Sequence, residues 1–381
     1  MLKTQPSELE QFYARHRVWQ GMPGIAITKK GRIFLCFYSG GVGEGYGNYS
    51  AVIKSDNGIN FSEPIVVANK EGNYRCFDCS LWIDPLDRLW FFWSVMPGEA
   101  TYASICENPD AETLSFGEEF YVGRGVMLNK PTVLSSGEWL FPIAFWRHEH
   151  CANLYKQMRL PDLKQDDVPG SFVYKTSDNG ETFEKFGGIE IPEVSCYEHQ
   201  VVELQDGVLM MLIRTLYGIG VSYSYDRGKT WSEGKDSGIE GPSSRFFISR
   251  LRSGRILLVN HYKFTERNNM TALLSEDDGK TFPYSLLLDE RSLVSYPDAV
   301  EGDDGYIYIT YDRERGSFTH CLEEAYEQAR EILTARITEE DIISGTLHEG
   351  SYIKNIASKL RKLSESEEEI FRPKYLECLK L

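Results

Sequence analysis

Several things are scarce in this chain of 381 residues, and each absence narrows what it does. No apolar run approaches the 18 or so residues that a membrane helix needs, so no span and no membrane partner is expected. Basic charge is short: 41 Lys and Arg against 57 Asp and Glu leave a net charge of −16, which disfavours nucleic acid, whose phosphates require a basic surface. The eight cysteines form no regular framework. Cys76 and Cys79 have CxxC spacing, but no second pair completes a zinc site, so a reduced structural role is expected. His148, His150 and His199 lack ligand-like spacing. There is no glycine-rich phosphate loop, serine elbow or metal motif, so neither metal nor cofactor is expected. No Pro/Ser-rich linker breaks the middle of the chain. The first twenty residues carry charge throughout and lack the apolar core of a signal peptide, which predicts a cytoplasmic protein.

What is present is repetition. The octapeptides Thr176 to Phe183, Ser224 to Trp231 and Ser275 to Phe282 share the pattern Ser/Thr-x-Asp-x-Gly-x-Thr-Trp/Phe, and a worn copy spans Lys54 to Phe61. The chemistry is that of a turn: the acid and hydroxyl accept hydrogen bonds from turn backbone, the glycine takes a positive φ, and the aromatic plugs into the neighbouring element. A second periodicity agrees. Hairpin turns fall at Lys30-Gly31, Leu86-Asp87, Ser136-Gly137, Asp206-Gly207, Ser253-Gly254 and Asp304-Gly305, 47 to 70 residues apart. The longest interval holds a polar stretch from Tyr155 to Gly170, read as a surface loop. Spacing near fifty residues predicts an all-β six-bladed propeller of four-stranded antiparallel blades over residues 1–350. The aromatic cluster Trp82, Trp90, Phe91, Phe92 and Trp93 is read as blade core.

The chain's end changes character. Leu322 to Ala335 and Tyr352 to Leu363 have helical apolar spacing, and Thr338-Glu339-Glu340-Asp341 reads as a helix start. The expectation is a helical tail over 351–381, packed on or beside the ring.

The intact octapeptides and their hairpins resemble the Asp-box (BNR) repeats of the sialidase superfamily, from about Trp19 to Arg315. The box itself marks a fold, since non-enzymatic propellers also carry it. In sialidases a tyrosine is the nucleophile and a glutamate is its base. The segment Ser295 to Val300 resembles the tyrosine segment and Tyr197 to Leu204 the glutamate segment, which implies Tyr296 and Glu198 for those roles. A phenol with a pKa near 10 needs a carboxylate to take its proton at neutral pH. Three arginines of the family grip the substrate's carboxylate. Arg214 and Arg267 match two of them. The third is missing, because the family's Arg-Ile-Pro-like tripeptide is here Gly21-Met22-Pro23. Arg17, Gln20, Lys130 or Arg245 is expected to stand in for it. For the general acid the resemblance implies Glu44, on a loop holding five glycines between Gly40 and Gly47, with Asp78 as its rival. Asn129 and Lys130 open the third blade toward the central pocket. The implied activity is retaining, exo-acting hydrolysis of a terminal acidic sugar, with a small acidic saccharide or glycoside as partner. The alternatives are a propeller glycosidase or lyase for a uronic or neutral sugar, and a carbohydrate-binding propeller without turnover.

Overall fold

A computed structural model describes residues 1–146, 168–194, 196–315 and 327–379, and these form a six-bladed β-propeller. Blade 1 comprises β2 (Gln20–Ile27), β3 (Ile33–Ser39), β4 (Tyr49–Ser55) and β5 (Val66–Ala68), and β1 (Leu2–Lys3) pairs with β5 as a fifth, outermost strand. Blade 2 holds β6 (Arg75–Ile83) to β9 (Phe120–Arg124), and blade 3 runs from β10 (Thr132–Val133) to β13 (Glu184–Ile189). Blade 4 begins with β14 (His199–Glu203) and β15 (Leu209–Thr215), blade 5 with β18 (Phe247–Arg250) and β19 (Ile256–Asn260). Blade 6 contains β22 (Val294–Glu301), β23 (Ile307–Arg313), β24 (Glu331–Ile337) and β25 (Tyr352–Lys359). All six expected hairpin turns join the first and second strands of their blades. In blade 4, for example, the Gly207 amide donates to the Leu204 carbonyl at 2.9 Å.

The repeated octapeptides join third to fourth strands and make the expected turn. In the first intact copy the Asp178 carboxylate accepts from the backbone N–H and the hydroxyl of Thr182 at 3.0 and 2.5 Å, and the Gly180 amide donates to the Thr176 hydroxyl at 3.1 Å. Asp226 and Asp277 repeat the pattern with Thr230 and Thr281. The worn copy achieves a similar turn with Ser55 and Asn57, leaving Asp56 to pair with Arg32 at 2.5 Å. The terminal aromatic is half-buried: Phe183 meets Phe141 of its own blade edge-on at 5.2 Å and stacks on Phe120 of blade 2 at 6.2 Å. Trp82 meets Trp139 of the next blade at 5.0 Å, as a blade-core cluster should.

The end of the chain differs from its sequence reading. Residues 331–337 and 352–359 are the outer strands of blade 6, not helices, so the ring extends past residue 350. Short apolar runs fit both periods. Here Ile332, Thr334 and Ile337 are β-branched, and an unpaired strand on β23 decides the contest. Residues 322–326, like the stretch 155–167, His148 and His150, lie outside the described residues. The helix start at Thr338 is present: α2 (Glu339–Ser344; α1 is Pro6–Leu9) opens with a capping box in which Thr338 and Asp341 exchange hydrogen bonds at 2.6 and 3.1 Å. A terminal helix, α3, spans Glu365–Leu379. Among the described residues no helix is long and apolar enough to cross a membrane.

Candidate active site

The innermost strands of blades 1, 2 and 6 share one irregularity. Their pairing slips between Gly21 and Gly24, between Phe77 and Ser80, and between Ser295 and Asp298. At each slip a non-glycine residue has positive φ: Met22 at 52°, Asp78 at 43° and Tyr296 at 56°. Such a conformation costs on the order of 1–3 kcal/mol and persists only where the surroundings enforce it. Two of the three residues so placed are candidates from the sequence, and they stand at the same end of the axis.

Tyr296 and Glu198 meet there. The phenol donates to Glu198 Oε1 at 3.2 Å, and Arg214 Nη1 donates to the same carboxylate oxygen at 3.0 Å and to the phenol oxygen at 3.1 Å. All three side chains are buried. Burial, and next the Glu198 charge, push the phenol above its ordinary value, against the pull of Arg214, Arg267 and Arg315. The resting tyrosine is therefore protonated, with its acceptor already in place. Arg267 stands with its guanidinium carbon 5.4 Å from the Tyr296 ring centre and, among the described residues, has no hydrogen-bond or ion-pair partner. A half-buried guanidinium without a counterion is a ready receptor for a ligand anion.

The third guanidinium comes from a residue that the sequence reading passed over. Arg315, just beyond β23, lies 4.7 Å from the Tyr296 ring centre. Its stem runs across Gly21: a Cβ built on Gly21 would sit 2.5 Å from Arg315 Cγ and nearer still to Cδ. The glycine is thus the complement of an arginine delivered from the last blade. Asp312 anchors the arrangement, accepting from the Met22 amide at 2.7 Å and the Ser295 hydroxyl at 2.6 Å, and lying 3.8 Å from Arg315 Nε. The signal available in sequence was Gly21 itself, which vacates a volume that some other side chain must fill.

The expected stand-ins are engaged elsewhere. Gln20 donates to the Arg330 and Ser358 carbonyls at 2.7 and 3.2 Å, and Arg17 donates to the Ser358 hydroxyl at 3.2 Å, tying blade 1 to blade 6. Lys130 pairs with Asp298 Oδ2, which also accepts from the Ile25 amide at 2.8 Å. Arg245 donates to Asn129 at 2.7 Å and the Pro23 carbonyl at 3.1 Å, and lies 3.5 Å from Asp298. Asn129 in turn donates to the His199 carbonyl at 2.7 Å. These groups form a buried polar axle two residues along from Tyr296. His199 places Nδ1 2.9 Å from the Tyr197 carbonyl and Nε2 2.8 Å from the Phe172 carbonyl, and burial lowers it to about 4.

The two acid candidates differ in setting. Glu44 is half exposed on its glycine-rich loop, 3.6 Å from Arg315 and 3.8 Å from Arg75. Asp78 is buried. Burial holds its carboxyl well above the usual range; the Arg75 charge opposes this, and Glu198 and Glu44 reinforce it. Asp78 therefore keeps a proton to give. Arg75 was not a candidate from sequence; it lies against the Phe77 ring at 4.0 Å. Among the described residues no group of three or more His, Cys, Asp or Glu could hold a metal. A cavity of about 580 Å³ opens at the opposite end of the axis, among the turns at Gly207 and Gly254 and away from this cluster.

Comparison with known proteins agrees with the ring and its repeats. Among curated proteins none matches the chain in sequence. A protein of unknown function from Dyadobacter fermentans superposes with a TM-score of 0.62 at 17% identity, over 80% of this chain and 93% of that one. The Hadza microbial sialidase Hz136 gives 0.59 at 18% identity, over 78% of this chain and 64% of its own length. The intramolecular trans-sialidase of Ruminococcus gnavus gives 0.59 at 14%, over 88% and 98%. Identities this low establish a shared fold and leave activity open. The family model described as a BNR repeat-like domain matches residues 31–309, about three-quarters of the chain, and with its octapeptide turns repeated blade after blade this protein belongs to that family.

Proposed function

We propose that this protein is a glycoside hydrolase that releases a terminal acidic sugar, of sialic-acid type, with net retention of configuration. The carrying observation is the Tyr296 phenol donating to Glu198 within reach of three guanidinium groups from three blades. Arg267, Arg315 and Arg214 would hold the substrate's carboxylate by charge-assisted hydrogen bonds. That carboxylate sits on the reacting carbon, where an anionic nucleophile would be repelled, and a neutral phenol is not.

In the first step the Tyr296 oxygen bonds to the anomeric carbon as its proton passes to Glu198 Oε1. The glycosidic C–O bond breaks and the leaving oxygen takes the proton of Asp78. In the second step water attacks the anomeric carbon and gives its proton to the Asp78 carboxylate, and the tyrosine leaves as a phenolate that recovers its proton from Glu198. Two inversions give retention. Asp78 is assigned the acid role over Glu44 because burial keeps it protonated, the condition a general acid must meet.

The test is a panel of fluorogenic sialosides and uronides assayed with the wild type and Tyr296→Phe. Release of a sialoside's fluorophore by the wild type, lost in the variant by at least about a hundredfold, supports the assignment. Equal turnover by both proteins, or ligand binding with no cleavage anywhere in the panel, refutes it.

A further inference from the structure

Glu198 meets Tyr296 and Arg214 through one oxygen, Oε1. Its other oxygen, Oε2, is buried and accepts from no group among the described residues. An orphaned carboxylate oxygen is costly, and native proteins rarely leave one without a donor. Beside Glu198, between blades 3 and 4, lies a small cavity with about 10 Å³ of room for a solvent centre. That is about the least room that admits one water molecule.

Among the side chains on the wall of this cavity, one buried donor stands without any acceptor among the described residues. Asn129 and His199 line it, and their side chains already have partners, as described above. Val126, Leu128, Pro142 and Ala144 bring no polar side-chain atom. The remaining member is Trp146, whose indole N–H is buried and also without an acceptor among the described residues. An unused donor and an unused acceptor thus share the wall of a hole sized for one water.

We propose that a single buried water bridges the Trp146 indole N–H to Glu198 Oε2, making Trp146 a positioning residue for the catalytic base. The water accepts from the indole and donates to the carboxylate. This fixes the carboxylate plane so that Oε1 stays on the phenol. The bridge gives up no proton during the reaction. It rests on the reading of Glu198 as the base, and it adds a residue that touches neither sugar nor nucleophile.

Trp146→Phe removes the donor and keeps a ring against Phe77, which the indole meets at 5.9 Å. Crystal structures of both proteins, with steady-state kinetics on a cleaved sialoside, decide the matter. Expected are an ordered water within hydrogen-bond distance of both atoms in the wild type, its loss in the variant, and a kcat about fivefold lower with KM unchanged. A dry wild-type cavity, or an unaltered kcat in a folded variant, overturns the bridge even if the enzyme is active. A water in place in a protein that cleaves nothing upholds the bridge and removes the hydrolase reading instead.

Discussion

Arg315 lies over Gly21, and neither residue is intelligible without the other. A side chain at position 21 would collide with the arginine stem, and the arginine would lose its bed if the backbone beneath it carried a Cβ. The expected consequence is a tradeable pair. Arg315→Ala should weaken kcat/KM for an acidic substrate by about 10- to 150-fold, the worth of one charge-assisted contact. Gly21→Arg alone should fare no better, since two side chains compete for one volume. The double variant Gly21→Arg with Arg315→Ala should recover part of the loss. Steady-state kinetics on all four proteins checks this; additive losses in the double variant would refute it.

Asp78 offers a test by leaving group. With an activated aryl glycoside, whose departure needs no proton, Asp78→Asn should lose much less activity than with an alkyl or sugar leaving group, where a loss of about 10²–10⁴ is expected. Equal losses on both substrates, or the same selectivity transferred to Glu44→Gln, would move the acid role elsewhere.

The same residue makes a prediction about pH and stability. Its folded pKa lies well above the unfolded value. Its contribution to stability is therefore fully present below about pH 4 and is lost as pH rises through the folded pKa. Asn carries no such charge. The melting temperature of Asp78→Asn should match the wild type near pH 4 and exceed it increasingly toward neutrality. Parallel melting curves from pH 4 to 8 would contradict the assignment.

Asp298 should matter for stability and only indirectly for chemistry. Asp298→Ala strands Lys130 and Arg245 as buried cations, which typically costs about 3–5 kcal/mol. Denaturant titration should show a lower midpoint with an unchanged slope. A stability within 1 kcal/mol of wild type would mean that the axle is not the buried network described here.

Gly180 probes the packing of one blade on the next. It has φ of 89°, and a Cβ there would sit 2.7 Å from Trp90 Cζ2 of blade 2. Gly180→Ala should destabilise by about 1–3 kcal/mol through strain and overpacking, measurable by the same titration.

The ring was legible because its signals are local. Gly31, Gly207 and Gly254 mark turns between strands whose residues favour sheets, and Asp178 and Thr182 write the octapeptide turn in a few letters. Tyr296, Glu198, Arg214 and Arg267 were legible because each lies in or near such a marked stretch. Arg315 was not: it follows an ordinary strand, and its importance arises from Gly21, nearly three hundred residues earlier, which only closure of the ring brings beneath it. The outer strands of blade 6 failed for a related reason. Residues 331–337 carry a pattern that suits a helix alone and a strand beside β23, and the neighbour decides. Asn129, Lys130 and Arg245 looked like ligand groups because polar residues near an axis usually are. Lys130 and Arg245 instead face Asp298, and Asn129 bridges Arg245 to the His199 carbonyl, all long-range neighbours.

The tyrosine, two of its three guanidinium groups and the strand that closes the circle all come from the last two blades. A chain still emerging from the ribosome would own the glutamate and one arginine long before it owned anything for them to act upon. The cluster would assemble all at once, when the sixth blade docks on the first and Arg315 settles over Gly21, so that closure of the ring and completion of the site become the same event.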